Sequence, residues 1–177
     1  MNSYPTEWPE FYTATILEWK FLLSEEKYKI IIISSLQYLV RNNKIKLCAF
    51  VIMSNHIHLI WQILPGNSYE KMRLCFKKFT GQQIKFELQK SNPDLLKEFK
   101  VDKKDREYQF WKRDALSIEL FTDKVFQQKL NYIHYNPVKA GMCKFPEAYK
   151  YSSANFYNGG RDEFEMLSEY TISHPSW

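Results

Sequence analysis

Residues 44–64 read KIKLCAFVIMSNHIHLIWQIL, two apolar runs meeting at Ser54-Asn55. Serine and asparagine favour turns, so Lys44 to Met53 and Asn55 to Leu64 are expected as the strands of an antiparallel hairpin, with Pro65-Gly66-Asn67 closing the second. Side chains alternate across a strand, which sets Ile57, Leu59 and Trp61 on one face and His56, His58 and Gln62 on the other. The apolar set is expected to face the core. Two imidazoles then project together from the opposite side.

Working outward, Phe11 to Lys20 alternates and is rich in Thr, Tyr and Ile, as a first strand would be. Ser24, followed by Glu25 and Glu26, reads as the N-cap of a helix through about Val40 that ends at Asn42-Asn43. Ser68 to about Lys90 reads as a long helix whose charge is lopsided: Lys71, Arg73, Lys77, Lys78, Lys85 and Lys90 against Glu70 and Glu87. Such a face is either solvated or phosphate-binding. Asn92-Pro93 breaks that helix, Leu95 to Glu107 is expected as a loop or short helix, and Tyr108 to about Leu116 as another strand. Thr122 and Asp123 open a last helix toward Asn136, where Pro137 is expected to stop it. Gly141 to Trp177 reads as loop with short elements.

This order predicts an α+β fold: a ferredoxin-like βαββαβ unit with an antiparallel sheet, two helices on one face, the other face open, and an extra C-terminal helix. At 177 residues one domain over 1–177 is expected. Hydrophobic residues at 45% and charged residues at 25% exclude a wholly disordered chain. A net charge of +5 and an aromatic share of 17% suit an acidic, base-bearing partner, although many metabolic enzymes carry as much charge. Cys48, Cys75 and Cys143 lack C-x-x-C spacing, so neither a disulfide framework nor a cysteine zinc site is expected, and a reducing cytoplasm fits. Met1 to Pro5 opens no basic stretch followed by an apolar run, so neither signal peptide nor membrane span is expected.

The last helix supplies a second group of polar residues. Spacings of three and four put Val125, Lys129, Tyr132 and Asn136 on one stripe, beside an apolar stripe of Phe126, Leu130 and Ile133 that would dock the helix. Laid across the open sheet face, this helix would bring a phenol and an amide oxygen to the histidines. Two imidazoles and an oxygen donor suit a divalent metal. A cation that polarises a phosphate lets a phenol, with a reference pKa of about 10, act as nucleophile in phosphoryl transfer. In that reading Tyr132 attacks, His56, His58 and Asn136 hold the metal, and Lys129 stabilises negative charge. Each residue also has an ordinary rival: His-x-His as two solvated polar residues, Tyr132 as a core tyrosine, Asn136-Pro137 as a helix stop. His134 and Tyr135 lie off the stripe and read as packing or surface residues.

Met53-Ser54-Asn55-His56-Ile57-His58, followed by Tyr132-Ile133-His134-Tyr135-Asn136-Pro137-Val138-Lys139-Ala140-Gly141, resembles the single-tyrosine (Y1) HUH transposases, specifically the REP-associated tyrosine transposase branch. Phe110-Trp111-Lys112-Arg113 and Pro146-Glu147-Ala148-Tyr149-Lys150-Tyr151-Ser152-Ser153-Ala154 extend the likeness over most of the chain. The resemblance implies an HUH fold in which the histidine pair binds Mg²⁺ or Mn²⁺. It further implies a tyrosine that forms a 5′-phosphotyrosine link, single-stranded or hairpin DNA as partner, and a monomer or homodimer. Asp114-Ala115-Leu116-Ser117 departs from many relatives in lacking aromatic and histidine residues. Arg73, Lys77, Lys78, Lys112 and Arg113 are the candidate phosphate contacts, worth affinity rather than sequence choice. Trp111 is either a base-stacking ring or a buried strand residue. Two rival functions stay open: a non-catalytic single-stranded nucleic-acid-binding module, and a metal-dependent phosphodiesterase using water.

Overall fold

A computed structural model describes residues 8–170. Met1 to Pro5 and the end of the chain after 170 lie outside the described residues. The order is β1 (Glu10–Thr15), α1 (Glu26–Arg41), β2 (Ile45–Ile52), β3 (His56–Ile63), α2 (Tyr69–Ser91), α3 (Pro93–Lys97), β4 (Lys100–Lys103), β5 (Arg106–Tyr108), β6 (Leu116–Glu119), α4 (Asp123–Lys139) and α5 (Ala154–Tyr157). The main sheet runs β2-β3-β1-β6 with every pairing antiparallel, and β4-β5 is a separate hairpin. This is the expected ferredoxin-like arrangement, with α3 and the small hairpin inserted between α2 and β6.

Both sheet faces carry a core. On one, Tyr12, Ile57, Leu59 and Trp61 pack with Ile32 and Leu36 of α1 and Phe76 and Ile84 of α2. On the other, Phe11, Val51 and Ile60 pack with Phe126, Leu130 and Ile133 of α4. The face left open by the first six elements is therefore closed by the last helix. A bulge in β2 lets one strand serve both cores. Leu47 pairs with Trp61 and Ala49 with Ile60, so Cys48 is the extra residue. Cys48 and Ala49 consequently both join the α4-side core, while Leu47 and Phe50 join the other. The free edge of β2 is covered by Tyr151 and Ser152, with Ile52 N–H donating to the Tyr151 carbonyl at 2.9 Å.

Several boundaries differ from expectation. Strand β1 stops at Thr15, because Glu18 and Trp19 both take left-handed backbone (φ 55° and 58°) and turn the chain. For side chains other than glycine this costs about 1–2 kcal/mol per residue. Ser24 does not cap α1. It ends a 3₁₀ turn, Glu25 occupies the cap position without a side-chain bond, and the Ser24 carbonyl accepts from Lys29 Nζ at 3.1 Å. Residues 109–115 are not a strand. Phe110 and Trp111 are drawn into the α2-side core, and that stretch is tied to the chain after β1 by Leu17 N–H to the Phe110 carbonyl (2.7 Å) and Lys112 N–H to the Thr15 carbonyl (2.8 Å). The region from Leu95 to Glu107 holds α3 and most of the small hairpin.

Pro137 lies inside α4 rather than ending it. A proline near the end of a helix removes one backbone bond, and here the turn beyond it is kept by Ala140 N–H donating to the Asn136 carbonyl at 3.0 Å. Gly141 (φ 71°) then terminates the helix in the left-handed region. Thr122 caps α4 as expected, accepting from Val125 N–H (3.2 Å), and Ser68, at the expected start of α2, caps it by accepting from Lys71 N–H (3.3 Å). Among the described residues, no helix is long and apolar enough to cross a membrane.

Candidate functional site

Strand β3 is flanked on both sides, by β2 and β1, and its register opposes His58 to Thr13 and His56 to Thr15. The two imidazoles share the α4 side, their ring centroids 4.8 Å apart. Each has its Nδ1 engaged. Thr13 Oγ1 lies 2.7 Å from His58 Nδ1, and Asn55 Oδ1 lies 2.7 Å from His56 Nδ1. The Asn55 amide Nδ2 donates to the Trp19 carbonyl at 3.2 Å, leaving its oxygen as acceptor, so His56 carries its proton on Nδ1 and a lone pair on Nε2. His58 Nε2 is buried without a hydrogen-bond partner. Orphaned buried nitrogens are uncommon, and an imidazole oriented through its other nitrogen is the usual arrangement of a metal ligand.

Electrostatics agree with that role. Burial lowers the pKa of His56. His58 is pushed down to about 3, first by burial and then by His56 and the Lys129 ammonium. Near neutral pH both rings are uncharged, as ligation requires.

Helix α4 docks through Phe126, Leu130 and Ile133, and this sets the direction of its polar stripe. Tyr132 stands 44% exposed above the pair, its ring centroid 5.2 Å from that of His58 and 6.0 Å from that of Phe11. The phenol and the histidines belong to one chain. Lys129 Nζ lies 4.8 Å from the Phe11 centroid and 5.8 Å from that of Tyr132, and Lys139 Nζ lies 5.9 Å from the Tyr132 centroid on α4. Asn136 follows Tyr132 by four residues, one helical turn further along the same face. Among the described residues no cluster of three His, Cys, Asp or Glu side chains could hold a metal. A cation at the two imidazoles would need a further protein donor, for which Asn136, on the Tyr132 face of α4, is the candidate, with substrate or water oxygens completing its shell. That donor set fits the residues present.

His134 is buried behind the site, its Nε2 2.9 Å from Ser153 Oγ, and burial lowers its pKa to about 4. It fastens α4 to the segment beside β2. Tyr135 is 50% exposed, one step off the Tyr132 stripe.

The basic candidates divide. Arg73 turns inward, donating to Ser117 Oγ at 2.7 Å and pairing with Glu10 at 3.7 Å. Lys77 Nζ donates to the carbonyls of Lys112 (2.8 Å) and Arg113 (3.0 Å) and so shapes that loop. Lys78, Lys112 and Arg113 line a groove of about 680 Å³ with Lys85, Arg106 and Tyr108. Trp111 resolves to its buried alternative: it is 5% exposed, and its Nε1 donates to Thr80 Oγ1 at 3.0 Å, so its ring is not free to stack on a base. The exposed ring beside the pair is instead Trp19, 54% exposed, its centroid 6.2 Å from that of His56.

Thr13, Trp19, Asn55 and Lys139 were not singled out from the sequence. Lys139 follows Tyr132 by seven residues, a same-face helical spacing that was available to read. The other three depend on contacts between distant segments.

No protein-family profile matches the chain. Over 106 residues, 59% of the chain, it is 28% identical to a Haemophilus influenzae protein described as a REP-associated tyrosine transposase. The chain spans 56%, about half, of that relative's length. A solved REP-associated tyrosine transposase bound to a REP hairpin matches over 98% of this chain and 96% of its own, with a TM-score of 0.61 and 17% identity. A transposase structure from Deinococcus radiodurans matches over 75% of this chain and 95% of its own, with a TM-score of 0.48 and 12% identity. The chain is thus similar to REP-associated tyrosine transposases in sequence over its matched part, and in fold over nearly its whole length.

Proposed function

We propose that this chain, so similar to the REP-associated tyrosine transposases, is a metal-dependent tyrosine nuclease that cuts and transfers single-stranded DNA next to a hairpin. The observation that carries the reading is the Tyr132 ring 5.2 Å from His58, whose buried Nε2 has no partner. His56, His58 and Asn136 would hold Mg²⁺ or Mn²⁺. When bound, such a cation polarises the non-bridging oxygens of the scissile phosphate.

The chain's own residues supply the rest. Tyr132 Oη attacks phosphorus, forming a 5′-phosphotyrosine, while the bond to the 3′ oxygen breaks and that oxygen leaves as a protonated hydroxyl. Attack by a 3′ hydroxyl on the phosphotyrosine reverses the step and joins strands. The ammonium groups of Lys129 and Lys139, 5.8 and 5.9 Å from the Tyr132 ring centroid, would place positive charge beside the negative charge that develops on the phosphate. Phe11, under Lys129 and against both Tyr132 and His58, keeps one wall of the site apolar. The solved neighbour's hairpin ligand, together with the basic groove lined by Lys78, Lys112 and Arg113, supports hairpin DNA with a single-stranded flank as substrate.

The test is to incubate the protein with a labelled hairpin oligonucleotide and Mn²⁺ and to look for an adduct that survives denaturation. An adduct is expected from the wild type, none from Tyr132→Phe, and much less from His56→Ala. Cleavage without an adduct would mean water is the nucleophile, and binding alone would mean a non-catalytic module. Undiminished adduct from Tyr132→Phe would move the nucleophile, with Tyr135 the next candidate.

A further inference from the structure

Trp19 is a large apolar ring left more than half exposed, at 54%, next to the histidine pair. Single exposed apolar residues are common and by themselves mean little. This one is held in place by more than chance. Its backbone and that of Glu18 are both left-handed, a conformation that persists only where surrounding bonds over-determine it. Those bonds are present: Trp19 N–H donates to the Ile16 carbonyl (3.0 Å), Ile16 N–H to the Asn55 carbonyl (2.8 Å), Leu23 N–H to the Ser54 carbonyl (2.9 Å), and Asn55 Nδ2 to the Trp19 carbonyl (3.2 Å). The same Asn55 side chain accepts from His56, so one amide ties both the backbone that carries the exposed ring and the imidazole beside it.

Charge completes the arrangement. Lys112 Nζ stands 5.1 Å from the Trp19 centroid, and Lys112 also lines the basic groove that leads away past Arg113, Lys78 and Lys85. An aromatic ring with an ammonium over it, beside a groove whose wall carries more basic than acidic side chains, is the combination that binds single strands: the cation takes the phosphate and the ring takes the base.

We propose that Trp19 is a stacking platform for the nucleobase flanking the phosphate held at His56 and His58, with Lys112 on the adjoining phosphate and Asn55 as the positioning residue. The platform rests on the nucleic-acid reading above and adds to it a place where a base, rather than the backbone, is held. Because stacking tolerates any base, it secures the strand without choosing its sequence.

The experiment uses the full chain in a Tyr132→Phe background with Mn²⁺, so that covalent capture does not intervene. Fluorescence anisotropy measures the affinity for a short labelled oligothymidine and for a strand of equal length whose bases are replaced by tetrahydrofuran. Trp19→Ala is expected to weaken oligothymidine binding roughly 5- to 100-fold, the span of alanine substitutions at stacking rings. It is expected to leave the abasic strand unaffected, and Trp19→Phe should keep most of the discrimination. If Trp19→Ala weakens both strands alike, the ring is structural and the platform is refuted. Discrimination that is absent in the parent, or unchanged by Trp19→Ala, refutes it as well and leaves the nucleic-acid reading standing. Failure of the parent to bind either strand sinks that reading and the platform together.

Discussion

At the scale of single residues, the two imidazoles are oriented by hydrogen bonds to their Nδ1 atoms. Thr13 Oγ1 holds His58 through Nδ1, 2.7 Å away, so Thr13→Val should misorient the ring while keeping its shape. Loss of such a supporting bond typically costs about 10- to 100-fold in metal affinity. Isothermal titration with Mn²⁺ should find a drop of that order with an unchanged melting temperature in EDTA, and an unaltered affinity would contradict it. Glu10 makes a pH prediction. It is 2% exposed, accepts from Trp61 Nε1 at 3.2 Å, and has its pKa raised by burial. A raised acid binds its proton more tightly folded than unfolded, so its contribution is fullest below about 4.5 and is lost as pH rises through the folded value. The melting temperature of the wild type minus that of Glu10→Gln should therefore fall from pH 4 toward pH 7, and a flat difference would rule this out. Residues of this kind are poorly legible in sequence. His56 and His58 show themselves by strand alternation alone, and Tyr132 by helical spacing. Trp19 cannot, because the backbone turn that presents it is tied to Asn55, far along the chain. Trp111 reads equally well as surface or core until Thr80 is seen to take its indole proton.

At the scale of elements, the placement of the phenol depends on how α4 is docked. Leu130 is 5% exposed and sits between the two polar residues Lys129 and Tyr132 in a different direction, against the sheet. Truncating it to alanine should cost about 2–5 kcal/mol, as buried leucines do. Urea denaturation should show that loss, and adduct yield should fall further than the folded fraction does. Yield tracking the folded fraction alone would mean that docking does not control the tyrosine. The hairpin of β2 and β3, the long α2 and the Thr122 cap of α4 were readable because turn residues and periodicity are local. The small β4-β5 hairpin was not, since its charged sequence lacks an apolar alternation. Pro137 misleads for a related reason: its rule concerns the residue before it, yet late in a helix a single missing bond is tolerated.

Across the whole molecule, one sheet separates two tasks. Helices α1 and α2 build a core on one side, and the opposite side carries the histidine pair under α4. Because Tyr132 reaches the pair of its own chain, catalysis is expected in cis. Mixing Tyr132→Phe with His56→Ala protein should therefore yield no more adduct than His56→Ala alone, and recovery toward the wild-type yield would show that the helix is exchanged between copies. The ferredoxin-like order was legible as a sequence of elements. The docking of the last helix through Phe126, Leu130 and Ile133 was legible too, but not the part of β2 in that second core, because the bulge at Cys48, which turns two successive side chains to one side, leaves no periodic trace.

The central position of β3 has a mechanical consequence. It is one of two inner strands, hydrogen-bonded along both edges, so the imidazoles ride on a doubly paired part of the sheet. The phenol rides on a helix attached to the sheet by side chains. Under the proposed chemistry, the group that would be joined to the DNA and the pair that would hold the metal therefore sit on separate supports, as a jaw and an anvil do.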